Sequence, residues 1–142
     1  GEKQRPIMIH RVCYGSIERF IGIITEHYAG KFPTWLAPTQ AVVMTLPGTD
    51  TAYAENVYNV LRQNGVRCEL DNRNEKIGYK IREARQVNRI PHMIIIGAKE
   101  IENNVISIRN RDTDQTVTMP LDEFVEKIDS MIENKSKEIM TV

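Results

Sequence analysis

The fold predicted for this chain is an α/β domain on a five-stranded mixed sheet with three helices, preceded by a strand and helix of a separate unit. Three observations predict it. Short segments rich in apolar and β-branched residues, Ala41–Leu46, Val66–Leu70 and Met93–Ile96, alternate with stretches whose apolar residues recur at the helical period, which is the order of parallel βαβαβ units. Two alternating segments, Val105–Arg109 and Thr116–Met119, flank the turn-rich Asn110–Gln115 and read as an antiparallel hairpin. Leu121, Phe124, Val125, Ile128, Met131 and Ile132 then form one helical stripe that closes the domain.

In chain order, Ile7–Arg11 is short and apolar and is expected to be a strand, ended by Gly15. Ser16 is a good N-cap, and Ile17, Phe20, Ile21, Ile24 and Tyr28 share one helix face before Gly30 ends it. A lone strand and one helix bury no core, so this piece needs neighbours. The prolines of Phe32–Pro38 break regular structure twice, which suggests a linker that docks through Phe32 and Trp35, with a boundary near Leu36. Residues 1–36 and 37–142 are therefore expected to be different domains. Ala41–Leu46 is nearly all apolar, as a strand covered on both faces should be. Pro47-Gly48 turns the chain, Asp50 or a neighbouring threonine caps the next helix, and Ala54, Val57, Tyr58 and Leu61 form its buried stripe before Gly65. Val66, Cys68 and Leu70 alternate with Arg67 and Glu69, giving a strand with one wet face.

The central stretch Asp71–Gly97 is the one the rest is arranged to hold. Asp71, Asn72, Arg73 and Asn74 make a polar turn, because Asn and Asp bond readily to nearby backbone. The helix after it is expected to bury Ile77, Ile81, Ala84 and Asn88 and to show Gly78, Arg82, Arg85 and Arg89 on a neighbouring stripe suited to an anion. It ends at Ile90-Pro91, since the residue before proline is pushed out of helical conformation.

With 142 residues, the chain is long enough for a core without disulfides or metal. Lys+Arg 19 balances Asp+Glu 19, which does not favour nucleic acid as partner, because a binder of phosphate backbone is usually basic overall. The balance conceals a basic centre (Arg73, Lys76, Lys80, Arg82, Arg85, Arg89) and an acidic last stretch (Asp122, Glu123, Glu126, Asp129, Glu133, Glu138); local potential is what steers a ligand. Cys13 and Cys68 lack CxxC spacing and point to a reducing, cytoplasmic setting. No apolar run approaches a membrane span. The leading Gly1 in place of Met is explained either by a chain cut from something longer or by trimming of the N-terminus.

In such sheets ligands bind beyond the carboxyl ends of the parallel strands, here Leu46-Pro47-Gly48, Asp71–Asn74 and Gly97–Glu100. No nucleophile–base pair and no glycine-rich phosphate loop is evident, and His92, at the start of a buried strand, reads as a packed core residue. The rim offers recognition chemistry instead. Asn74 can pair with a base edge through donor and acceptor together, Glu100 can accept from an amino group, and Arg109 can make a bidentate contact. An ordinary solvated loop has the same composition. In the first segment Arg19 lies off the apolar stripe, where it can stack on a flat ring or simply face water; His10 is a lone histidine, weak as a metal ligand.

Four stretches carry a resemblance: Arg5–Arg11 (RPIMIHR), Gly15–Phe20 (GSIERF), Phe32–Pro38 (FPTWLAP) and above all Arg73–Arg82 (RNEKIGYKIR). Together they resemble the C-terminal end of bacterial-type threonyl-tRNA synthetases, over essentially the whole chain. The resemblance implies that residues 5 to about 30 are the end of a class II catalytic domain. Arg19 then matches the third-motif arginine that stacks on the ATP adenine, and His10 matches one of three ligands of a catalytic zinc. The other two lie upstream in the family, so no zinc is expected here. From about residue 37 the chain resembles the anticodon-binding domain, with Asn74, Lys76, Lys99, Glu100 and Arg109 at positions that contact the anticodon. The intact enzyme of the family is a homodimer that uses zinc and magnesium-ATP to join threonine to tRNA(Thr). This chain, lacking the first two class II motifs, is expected to bind tRNA(Thr) rather than catalyse and to need no cofactor. Where relatives often continue past Arg109 with a basic run, it has Arg111-Asp112-Thr113-Asp114, which weakens any phosphate contact from that loop. An α/β module that docks a protein is the alternative.

Overall fold

The computed structural model describes residues 1–137; Glu138 of the acidic last stretch lies outside them. The chain forms two compact units, Gly1–Gly30 and a second from Lys31 onward. Residues 31–36, expected as linker, belong to the second unit, with Pro33 and Thr34 buried. No helix among the described residues is long and apolar enough to cross a membrane.

In the first unit, helix α1 (Ile17–His27) starts where expected, with the Ser16 hydroxyl accepting from the Arg19 N–H. The strand expected at Ile7–Arg11 does not form. Those residues are coil, with Ile7 92% and Ile9 86% exposed. A strand exists only by exchanging backbone hydrogen bonds with a neighbour, and among the described residues none pairs with this segment. No residue of α1 is buried either.

The second unit holds β1 (Ala41–Thr45), α2 (Ala52–Gln63), β2 (Cys68–Asp71), α3 (Ile77–Arg82), β3 (His92–Ile96), α4 (Ala98–Asn103), β4 (Ile106–Asn110), β5 (Thr116–Met119) and α5 (Leu121–Glu133). The sheet order is β2-β1-β3-β4-β5. β1 runs parallel to β2 and β3, and the β4–β5 hairpin returns antiparallel. The mixed five-stranded sheet is thus as predicted. The helix count is not: among the described residues there are five α-helices with α1, four of them in the sheet unit where three were expected. The extra one, α4, is six residues long, too short to show an apolar period, and Ala98-Lys99-Glu100 reads as loop by composition.

Two cores flank the sheet. On one face α2 and α5 cover Ala41, Val43, Ile94 and Ile96 with Val57, Leu61, Phe124 and Ile128. On the other, Val42, Met44 and Met93 meet Ala84 and Ile90 beside Ile77 and Ile81. Alternate residues of β1 and β3 feed opposite cores, which is why both strands are apolar without a break.

The second core departs from the expected helix. After Arg82 the backbone passes into a π-helical turn, Glu83–Val87, and Arg89 takes a left-handed conformation (φ 55°). A π turn admits an extra residue, so side chains beyond it leave the stripe that a regular helix would continue. Asn88, expected to be buried, is exposed, and Ile90 takes the place in the core.

Lys80, counted above with the surface cations, is 1% exposed. Its Nζ donates to the Thr45 carbonyl oxygen at 3.1 Å and the Asp71 carbonyl oxygen at 3.0 Å, with Asp71 Oδ1 at 3.5 Å. The ammonium thus joins the last residues of β1 and β2 to α3. Arg111 is also buried (3%) and donates to the carbonyls of Lys31, Phe32 and Arg89, so it holds loops rather than meeting solvent. His92 is a core residue, as predicted. Its Nε2 lies 2.9 Å from Thr34 Oγ1 and its ring meets Phe124 edge-on. Burial, with the charge of Arg111 second, pushes its pKa down to about 3.

Two tests follow from this packing. Lys80→Met, which leaves two carbonyls without their donor, is expected to lower stability by about 2 kcal/mol or more, read as a fall in urea midpoint at constant m-value. His92 is neutral in the fold, whereas the unfolded chain takes up its proton below about pH 6.5. Stability should therefore fall as pH drops from about 6.5 toward 3, by at most ~1.4 kcal/mol per pH unit from this group. Asp71 and Asp114, held below the ordinary carboxylate value by their arginine hydrogen bonds, add to that loss from about pH 4 downward, where the unfolded carboxylates take up protons. Urea midpoints between pH 6.5 and 4.5 should show a shallower pH slope in His92→Gln; an unchanged slope contradicts the assignment.

Candidate nucleic-acid interface

The strand register decides which predicted residues share an edge. Met44 pairs with Asp71 across β1–β2 and Thr45 with Ile96 across β1–β3, so the three parallel strands end level. Asn74 and Lys76 follow β2, and Lys99 and Glu100 follow β3. With one strand between them, the ends of β2 and β3 that carry the two groups stand two strand spacings apart, about 10 Å. Asn74, Lys76 and Lys99 are exposed.

The turn that carries Asn74 is built by its neighbours. The Arg73 N–H and Nε both donate to Asp71 Oδ1, at 3.1 and 3.0 Å, and Nη2 reaches Asp71 Oδ2 at 2.7 Å and Glu83 Oε2 on the π turn. Asp71 is in turn steadied by Lys80 from below. The same side chains, with Asn88, line a cleft of about 190 Å³ between β2 and the helix above it.

Glu100 is fixed from two sides. Oε2 accepts from the Gly97 N–H at 2.9 Å, capping α4, and Oε1 accepts from Ser107 Oγ at 2.8 Å on the adjoining β4. A carboxylate oxygen has two lone pairs, so acceptor capacity remains. A Cβ at position 97 would stand 2.5 Å from Leu46 Cδ1 and 3.0 Å from Glu100 Oε2, so a side chain there would displace the Leu46 side chain.

Arg109 is not on the rim. It pairs with Met93 near the far end of β3, three residues below the strand's end, and shares its sheet face with Ser107 and the exposed Thr116 and Thr118. α3 and the π turn cover this face over β1 but not over β5. Arg109 therefore belongs to an open, hydroxyl-rich sheet face adjoining the rim, and Ser107 links it to Glu100.

The helical basic stripe is not the free anion surface that composition suggested. Arg73 is paired as above, Lys80 is buried, and Arg85 donates to Asp114 Oδ1 at 2.8 Å and to the Arg111 carbonyl at 2.9 Å. The partners of Arg85 lie far away in sequence, out of reach of any helical-spacing rule. Lys76, Arg82, Lys99 and Arg89 remain exposed. Sequence reasoning also missed the clamp by Lys80, although Ile77, Lys80, Ile81 and Ala84 lie at i, i+3, i+4 and i+7, a spacing that marks one face.

In the first unit Arg19 and His10 are both exposed, Arg19 on α1 and His10 in coil. No group of three histidine, cysteine or acidic side chains among the described residues could hold a metal. One histidine does not make a tetrahedral zinc site, so no chemistry through zinc follows from these residues.

Known proteins share this fold. A family model described as "Anticodon binding domain" matches residues 40–131. Threonine–tRNA ligases from Clostridium tetani and Caldanaerobacter subterraneus are 53% and 54% identical, over 95% and 96% of this chain. The chain spans only about a fifth of their length, 21% in each case. The crystal structure of the RNA-binding domain of a threonyl-tRNA synthetase from Cryptosporidium parvum superposes with a TM-score of 0.78 at 34% identity, covering 82% of this chain and 29% of that one. A prolyl-tRNA synthetase from the same organism shares the fold, with a TM-score of 0.67 at 24% identity, over 82% of this chain and 27% of that one. With its sheet, both cores and the rim inside the matched residues, the chain belongs to the anticodon-binding domain family.

Proposed function

We propose that this chain reads the anticodon of tRNA(Thr), as the C-terminal part of a threonine–tRNA ligase. The observation that carries this is the level rim: an amide and a lysine follow the end of β2, and a lysine and a carboxylate follow the end of β3, the two strand ends about 10 Å apart on one sheet edge. Unpaired anticodon bases present Watson–Crick edges to such groups, and RNA is read by sequence mainly where its bases are splayed out of a helix. Asn74 and Glu100 supply base-edge contacts, Arg109 a donor fork beside them, and Lys76 and Lys99 backbone charge. The near-neutral surface suits this role, since affinity comes from a few directed contacts and little from bulk attraction.

In this reading residues 1–36 are the end of the catalytic domain and residues from 37 the anticodon-binding domain. His10 and Arg19 act only in the whole enzyme, as a zinc ligand and as the arginine that stacks on ATP. Joining threonine to tRNA with magnesium-ATP, pairing of two subunits and residence in the cytoplasm likewise belong to the whole enzyme.

The test is a titration of the chain with a tRNA(Thr) anticodon stem-loop and with loops of scrambled anticodon. Asn74→Ala and Arg109→Ala should each cost about 1–3 kcal/mol on the cognate loop and far less on scrambled ones. Lys76→Ala should weaken all loops alike and flatten an already shallow salt dependence, by roughly one unit of log–log slope. Equal affinity of the unmodified chain for every loop would refute the proposal. Protection of residues 72–80 by a partner protein, with no RNA bound, would favour a docking module instead.

A further inference from the structure

The β4–β5 turn contains a clasp that anticodon contacts alone do not explain. Asn110 begins it: its Oδ1 accepts from the N–H groups of Asp112 at 2.7 Å and Thr113 at 3.2 Å, and its carbonyl accepts from the Asp114 N–H at 3.1 Å. These bonds hold Asp114 in a left-handed conformation (φ 62°), unusual for a residue other than glycine though tolerated by Asp. The carboxylate so placed is gripped twice. Arg109 donates Nε to Oδ1 and Nη2 to Oδ2, both at 2.8 Å, and Arg85 Nη1 donates to Oδ1 at 2.8 Å. Arg85 is itself anchored at 2.9 Å to the Arg111 carbonyl.

A guanidinium has five N–H groups in one plane. The side-on pairing with Asp114 uses the Nε edge, and Nη1 has no protein partner among the described residues. What remains is the outer fork of Nη1 and Nη2, the edge that pairs bidentately with two adjacent acceptors on a purine. Arg109 is only partly exposed, with side-chain accessibility of 30%, so its plane is fixed before any ligand arrives.

We propose that Asp114 is a positioning residue for base reading: by occupying the inner edge of Arg109 it aims the outer fork of that arginine off the open sheet face toward an unpaired base. This rests on the anticodon reading above. It assigns to the acidic turn, which looked like a mere loss of phosphate contact, a part in specificity. A guanidinium held by a carboxylate loses less rotamer freedom on binding than a free one, and one wrongly oriented cannot form a two-bond contact.

Two measurements test it. The first needs no RNA: the Arg109 Nε–H signal in the NMR spectrum of the free chain should be sharp and slow to exchange, and should be lost in Asp114→Ala. A broad, rapidly exchanging signal in the unmodified chain overturns the proposal whatever the chain binds. The second compares cognate and base-substituted anticodon stem-loops. Asp114→Ala should cut the ratio of their affinities about tenfold, while binding to the substituted loop holds or tightens because a negative charge has gone; Asp114→Asn, which keeps one acceptor, should recover part of the ratio. Tightening of both loops by one common factor would make Asp114 only a screen over Arg109 and would overturn the assignment. If the unmodified chain binds no loop yet the protected Nε–H is present, the anticodon reading fails and the specificity role with it, leaving the clasp as a structural feature.

Discussion

One ammonium group, that of Lys80, underlies the β2 side of the rim. Its Nζ joins the terminal carbonyls of β1 and β2, where the sheet gives way to loops. A buried polar group without a partner is costly, so the lysine and the two carbonyls stabilise one arrangement together. That arrangement sets where Asp71 lies, Asp71 sets Arg73, and the Asp71–Arg73 pair shapes the turn from which Asn74 projects. On the other flank Glu100 is held by the Gly97 N–H and by Ser107. Both sides of the rim are therefore supported from within the sheet, as the proposed recognition site would require if its side chains are to be ordered before a ligand arrives.

The same economy governs the charges. A chain of zero formal net charge has its central cations committed to partners: Arg73 to Asp71 and Glu83, Arg85 and Arg109 to Asp114, Arg111 to backbone carbonyls. Exposed pairs of this kind add little stability each. Their consequence is orientation. Arginines bound on one edge present the other edge in a set direction, which favours reading of shapes and edges over diffuse attraction to phosphate.

The apolar patterns were legible because burial has to follow the period of the backbone. β1 and β3 showed as unbroken apolar runs since each feeds both cores, and α5 as a stripe since only one face of it touches the sheet. Where the pattern was too short or the period changed, legibility ended. α4 has six residues, and the π turn after Arg82 shifts the register, so Asn88 left the core and Ile90 entered it. The strand expected at Ile7–Arg11 failed for another reason: apolar composition permits a strand, but only a neighbour makes one.

Of the site, the sequence by itself determined the chemical inventory of the rim and the strand ends that carry it, because side-chain type and the order of strands and helices are local properties. Only the tertiary structure decided that Lys80 is a buried clamp, that Arg109 sits three residues below the rim on an open face, and that Asp114 grips it together with Arg85 from the π turn. Those outcomes join residues 5 to 35 positions apart, and which partner a charged group finds depends on where folding brings the elements together, which no spacing along the chain records.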